Sequence, residues 1–199
     1  MKVNLLYPEI YEIEDFVTVE QQEKVLEYCA SLKDSDWFSD DKYVSDFFKN
    51  KVVNKNTLDA FSEIDEKIKT LVHDCYMLHP VNLIRHLEND FMHPHTDDHK
   101  DNEQANERKT YSRYGIVVYY NDDYEGGEII YPDLGIVHKP KARSLLIHSG
   151  KHLHGTTKVI GNLPRYCSTT FFIGNKDHHP ALNESVFGYV PEDTEYEYY

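Results

Sequence analysis

From about residue 80 onward the chain is a succession of short β-rich runs punctuated by turn residues: 81–87, 114–120, 127–131, 135–139, 144–148 and 166–173. Six or more short strands at this spacing, without intervening helices, argue for an antiparallel sandwich or barrel of the jelly-roll type. The earlier part reads differently. Thr18-Val19-Glu20-Gln21 has the form of a capping box, and Val19, Val25, Leu26, Cys29 and Leu32 supply an apolar face behind it. A second helix is predicted from Asn56 or Thr57 to about Cys75, because Leu58, Phe61, Ile64, Ile68, Leu71, Val72 and Cys75 recur at three- and four-residue spacing. Helices first and strands afterwards place the helices on one outer face of the sheets. The expected class is mainly β (α+β), a double-stranded β-helix with N-terminal supporting helices. At 199 residues it reads as a single domain: about 1–79 helical support, about 80–175 jelly-roll core, about 176–199 C-terminal tail.

Composition narrows the function. A formal net charge of −14 weighs against nucleic acid as a partner, since phosphate-backbone binding draws on clustered Lys and Arg. A neutral or cationic partner fits better. Cys29, Cys75 and Cys167 are odd in number and show no CxxC spacing, so they read as reduced thiols rather than a disulfide framework or zinc ribbon. No stretch approaches a membrane span or a signal peptide, and the expectation is a reducing, cytoplasmic compartment with no membrane partner. The polar stretch 98–113 reads as a loop at the mouth of a site, and the acidic, tyrosine-rich end, 192–199, as a frayed tail.

Chemistry gathers at His95-Thr96-Asp97. On a strand, residues i and i+2 project to the same side, so His95 and Asp97 would enter the barrel together. Two imidazoles and one carboxylate, with other positions open, suit a non-haem Fe(II). The third ligand must come from afar, and His148, His152 and His154 are all on offer. Spacing alone does not choose among them, and with twelve histidines an HxD triplet also arises readily by chance. Alternation in the last long run puts Arg165, Cys167, Thr169 and Phe171 on one face, so Arg165 and Thr169 form a candidate carboxylate clamp. Tyr119 shares a face with Val117 and can offer its phenol to the same carboxylate. An inward arginine without an anionic partner would be costly.

These residues resemble the Fe(II)- and 2-oxoglutarate-dependent dioxygenases, specifically the prolyl 4-hydroxylase-like branch. The motifs run in order over about residues 80–173: His86, Asn89 and His95-Thr96-Asp97; Tyr119-Tyr120-Asn121; Glu125-Gly126-Gly127-Glu128-Ile129-Ile130-Tyr131-Pro132; Val137-His138-Lys139-Pro140-Lys141-Ala142-Arg143; then His154, Val159, Gly161 and Arg165-Tyr166. The chain departs from the family pattern in three places. His86 replaces a usual tyrosine, while Asn89 and Arg143 stand where glycine is common. The resemblance implies Fe(2+) held by His95, Asp97 and His154, with His152 as the fallback distal ligand. It implies 2-oxoglutarate contacted by Tyr119, Arg165 and Thr169, with O2 as second co-substrate and ascorbate as a candidate reductant. His95, Asp97, His154 and Arg165 become the catalytic set. The implied reaction is hydroxylation of a C–H bond with decarboxylation of the keto acid, on a prolyl residue in a peptide or protein. Hydroxylation is favoured over halogenation because the carboxylate Asp97 is kept. The alternatives are the same chemistry on a small metabolite or nucleobase, or a non-catalytic metal-binding jelly-roll module.

Overall fold

The computed structural model describes residues 1–39, 49–52, 57–73, 76–77, 81–97, 110–175 and 181–188. Cys75, most of the predicted mouth loop (98–109) and the tail beyond residue 188 lie outside these residues. With strands numbered in chain order, the larger sheet runs β1 (Lys2–Tyr7), β2 (Ile10–Glu14), β13 (Leu145–Ser149), β9 (Thr110–Tyr119), β16 (Arg165–Asn175), β7 (Asn82–His86), β4 (Lys49–Val52), β3 (Phe38–Ser39), and β6 (Tyr76–Met77) also pairs with β16. The smaller sheet runs β12 (Ile136–His138), β11 (Ile129–Tyr131), β14 (His154–Thr156), β8 (Met92–His95). Two short ribbons complete the described strands: β10 (Glu125–Gly126) with β15 (Val159–Ile160), and β5 (Val72–His73) with β17 (Ala181–Leu182). The described pairings are antiparallel, as the absence of helical crossovers requires. This is a double-stranded β-helix with helices on one outer face.

Strand alternation divides the larger sheet between two cores. Outward residues Ile13, Leu83, Ile116, Val118, Tyr120, Leu145, Ile147 and Phe172 meet the helices α1 (Val19–Ser31) and α2 (Asp59–Ile68). Inward residues Ile10, Ile84, Tyr119, Leu146 and Cys167 meet Ile129 and Tyr131 of the smaller sheet. Thr18 caps α1 with the predicted box: its hydroxyl accepts from the Gln21 amide, and the Gln21 side chain accepts from the Thr18 amide. Gln22 Nε2 then donates to the Tyr120 carbonyl at 2.6 Å, fixing α1 over the end of β9. Each of Phe61, Ile64 and Ile68 is buried, and each contributes about 1.5–3 kcal/mol of apolar burial on the α2 stripe. Cys29 and Cys167 are free, buried thiols, and burial pushes Cys29 up to about 12.

Two segments differ from the sequence expectation. The first 79 residues, expected as helical support, also supply β1 and β2, and β2 extends the larger sheet along β13. Alternation explains this: Ile10 and Glu12 face inward while Tyr11 and Ile13 face the helices, all four of them buried. Helix α2 stops at Ile68 rather than near residue 75. A tight turn follows, with the Leu71 amide donating to Ile68 and the Thr70 hydroxyl to Lys67, and Val72 then pairs with Leu182 in a strand. Leu71 and Val72 fill the same core from a turn and a strand, so their helical spacing misleads without being accidental.

Candidate active site

The antiparallel register of β14 with β8 sets His154 directly opposite His95. Their ring centroids are 4.5 Å apart. Each ring is held the same way: His95 Nδ1 donates to the His93 carbonyl and His154 Nδ1 to the His152 carbonyl, both at 2.9 Å. A carbonyl only accepts, so in both neutral imidazoles the proton sits on Nδ1 and the lone pair on Nε2. Those two lone pairs converge on Asp97, with His95 Nε2 at 3.6 Å from Oδ1 and His154 Nε2 at 3.7 Å from Oδ2. One ligand atom from each of the three residues lies within 4.8 Å of the others. Without a metal, burial works to raise the Asp97 pKa, but the surrounding imidazoles of His95, His154 and His148 hold it below the usual carboxylate range. Burial lowers the His154 pKa, keeping that ring in the neutral form a metal needs. A carboxylate sunk among imidazoles that present bare nitrogens fits a divalent cation of the borderline kind, iron included.

Asp97 reaches this position from just beyond β8 and not from within the strand. Its amide donates to the Gly150 carbonyl at 2.9 Å, which pins the turn against the segment leading to His154. The same register turns His154, rather than His152, towards Asp97. His152 gives its carbonyl to His154 and turns its own ring towards Glu9, Tyr7 and Tyr131.

At the other end of the barrel interior lies Arg165, 2 % exposed. Among the described residues no carboxylate pairs with it. Its Nη1 donates to His86 Nδ1 at 2.8 Å and to Cys167 Sγ at 3.3 Å, and its guanidinium lies 5.1 Å from the centre of the Tyr119 ring. Arginine only donates, so His86 carries its proton on Nε2. Burial and the charge of Arg165 lower the His86 pKa well below the ordinary value and keep it neutral. The phenol oxygens of Tyr119 and Tyr124 are buried beside the guanidinium without a well-formed hydrogen bond. A desolvated cation flanked by two idle phenols can take an anion, and a carboxylate is among the anions that a guanidinium fork fits. Between this end and the metal cluster, Ile84, Ile129, Leu146 and Cys167 make the wall apolar.

The surrounding motifs have structural work. Asn121 donates to the Pro164 carbonyl and accepts from the Tyr166 amide, both at 2.8 Å, and so brackets Arg165. Lys139 donates to the carbonyls of Tyr124 and Gly126 and lies over the Tyr124 ring. Gly127, at φ +63°, is needed because a Cβ there would come within 2.9 Å of the Tyr124 ring and 3.0 Å of Arg165 Cδ. Thr169 does share the inward face with Arg165, but four strand residues span about 13 Å. It is half-buried and sits opposite Val117, so the two do not grip one carboxylate. Tyr124 takes that place beside Arg165, and nothing in its local sequence, Asp123-Tyr124-Glu125, marks it. His86 was legible only as a departure from a family pattern. Its register opposite Arg165 supplies the meaning.

No protein-family model matches the chain, and no curated protein matches it significantly. Solved structures do resemble it. A viral collagen prolyl hydroxylase from Paramecium bursaria Chlorella virus-1, in its 2-oxoglutarate complex, is 14% identical with a TM-score of 0.64, covering 84% of this chain and 97% of its own. HygX from Streptomyces hygroscopicus, with nickel and 2-oxoglutarate bound, is 11% identical with a TM-score of 0.61, covering 85% and 84%. A prolyl hydroxylase from Trichoplax adhaerens, in complex with a hypoxia-inducible-factor oxygen degradation domain peptide, is 13% identical with a TM-score of 0.61, covering 82% and 83%. At these identities the shared property is the fold.

Proposed function

We propose that this protein is an Fe(II)- and 2-oxoglutarate-dependent dioxygenase that hydroxylates a C–H bond, with a prolyl residue in a peptide as the favoured substrate. The observation that carries the reading is the pairing of two ends in one barrel: the His95, Asp97 and His154 cluster, and the buried, unneutralised Arg165 with Tyr119 and Tyr124 beside it. Bound Fe(II) and 2-oxoglutarate would supply the oxidising power, drawn from O2 as the keto acid loses carbon dioxide to become succinate.

The chain's own residues do the rest. His95, Asp97 and His154 would hold the metal, their tautomers preset by the carbonyls of His93 and His152. Arg165 would bind the distal carboxylate of the keto acid, with the phenols of Tyr119 and Tyr124 as further donors, and His86 and Asn121 keep the guanidinium aimed. The apolar wall excludes water from the interior, which strengthens each charge contact inside it. A peptide is favoured as substrate because a neighbour of the same fold holds one. The formal charge of −14 favours a neutral or basic peptide. The free, buried Cys29 and Cys167 support a reducing, cytoplasm-like compartment, and ascorbate fits as the reductant that keeps the iron divalent.

Anaerobic addition of Fe(II) and 2-oxoglutarate is expected to give a weak visible metal-to-ligand band, and air then to release succinate. Absence of both would overturn the reading. Screening proline-containing peptides for the mass gain of one oxygen atom identifies the substrate, and a panel in which only small metabolites gain that mass would reassign it.

A further inference from the structure

A fourth imidazole stands at the metal cluster, outside the ligand set of His95, Asp97 and His154. His148, on the inward face of β13, is 1% exposed. Its ring lies 4.2 Å from that of His154, and its Nε2 lies 3.9 Å from Asp97 Oδ2. The register places His148 opposite Gly115 of β9, and a Cβ at Gly115 would fall 2.6 Å from both Asp97 Oδ2 and His148 Nε2. Only a residue without a side chain lets the carboxylate and the imidazole face each other.

Tautomers then decide the roles. A metal among the ligands takes the Nε2 lone pairs of His95 and His154, whose only N–H groups already point at backbone carbonyls. Neither can donate to Asp97. Asp97 Oδ2 accepts no hydrogen bond from the described residues, and His148 is the remaining imidazole facing it. A metal-bound carboxylate is ordinarily oriented by a donor of its own. We infer that His148 is the positioning residue of Asp97, donating from Nε2–H to Oδ2 so that the carboxylate is held in its metal-binding orientation. The inference rests on the metal reading given under the proposed function.

The test compares the whole protein with His148→Phe, which keeps a buried ring but no donor, and His148→Gln, which keeps a donor. Metal affinity is measured anaerobically with Mn(II) by electron paramagnetic resonance, and the ligand field with Co(II) by visible absorption. His148→Phe is expected to weaken Mn(II) binding by about 10–100-fold and to alter the Co(II) spectrum, while the metal-free protein melts no lower than wild type. His148→Gln should recover most of the affinity. Wild-type affinity and spectrum in His148→Phe would overturn the inference, as would equal losses in both variants. If His148→Phe does not fold, His148→Met against His148→Gln decides on the same terms. Failure of the wild-type protein to bind Mn(II), Co(II) or Fe(II) would instead remove the metal reading itself.

Discussion

The two ends of the barrel interior are built by opposite means. At the metal end each ligand histidine is oriented locally, by the carbonyl two residues before it, and one long-range strand pairing then brings the two rings together. At the arginine end almost every contact is distant, with His86 79 residues from Arg165 and Asn121 45 residues from the Tyr166 amide it receives. A ring oriented by its own neighbours keeps that orientation when remote parts are altered. An end assembled from afar is sensitive to them.

The largest effects should separate the ends cleanly. Asp97→Ala or His154→Ala is expected to lower metal affinity more than about a hundredfold and to abolish succinate release, whereas His152→Ala retains both, since its carbonyl and not its ring serves the site. Metal titration with a turnover assay checks this, and loss in His152→Ala alone would move the distal ligand. Arg165→Met should leave Mn(II) binding within a few-fold of wild type but weaken 2-oxoglutarate binding by about 30-fold or more, because a desolvated charge-to-carboxylate contact is worth about 2–5 kcal/mol. The same variant should raise the melting temperature of the ligand-free protein, since a buried cation without a counterion is replaced by an apolar chain. Equal loss of metal and keto-acid binding would mean that the ends are not independent.

Acid should strain both ends together. His86 and His148 have folded pKa values depressed below the free value of 6.5 by burial, so between those depressed values and 6.5 the unfolded chain binds more protons. Stability therefore falls as pH drops through that window, by about 1 kcal/mol per pH unit for each such ring. Denaturant midpoints from pH 7 to 5 measure the slope, and His86→Phe should reduce it while leaving the His148 share. A smaller effect belongs to the backbone. Asn89 and Arg143, the two positions where glycine is usual in the resembling family, have φ of +71° and +66°. Asn tolerates that region well, so Asn89→Gly should shift stability by less than about 1 kcal/mol in thermal melts.

Legibility followed the same division. Alternation and turn spacing gave the sheets, and the Thr18 box gave the start of α1, because those signals lie within a few residues of each other. The HxD pair was visible, although Asp97 sits in a turn past the strand end, so strand alternation reached the right residue for an incomplete reason. At the arginine end the sequence offered Arg165 and Tyr119 but paired them with Thr169, overlooking that four residues along a strand exceed the reach of one carboxylate. His86 gains its role only from register opposite Arg165, and Tyr124 only from the fold that sets it beside the same guanidinium, and no local window contains either. Among the described residues β1 pairs only with its neighbour β2, but β2 escaped notice for a related reason, since the strand that joins it to the larger sheet begins at Leu145.

That last pairing sets an order of events during synthesis. The ribbon of β1 and β2 is made long before β13, and its place along that strand does not exist until His148 and Ser149 have left the ribosome. Contacts closed over so long a stretch form slowly, and until then the outer edge of β2 is a bare template for other chains. Because the strand that finally covers it also carries His148, seating the β1–β2 ribbon and bringing that imidazole beside Asp97 and His154 become one late event.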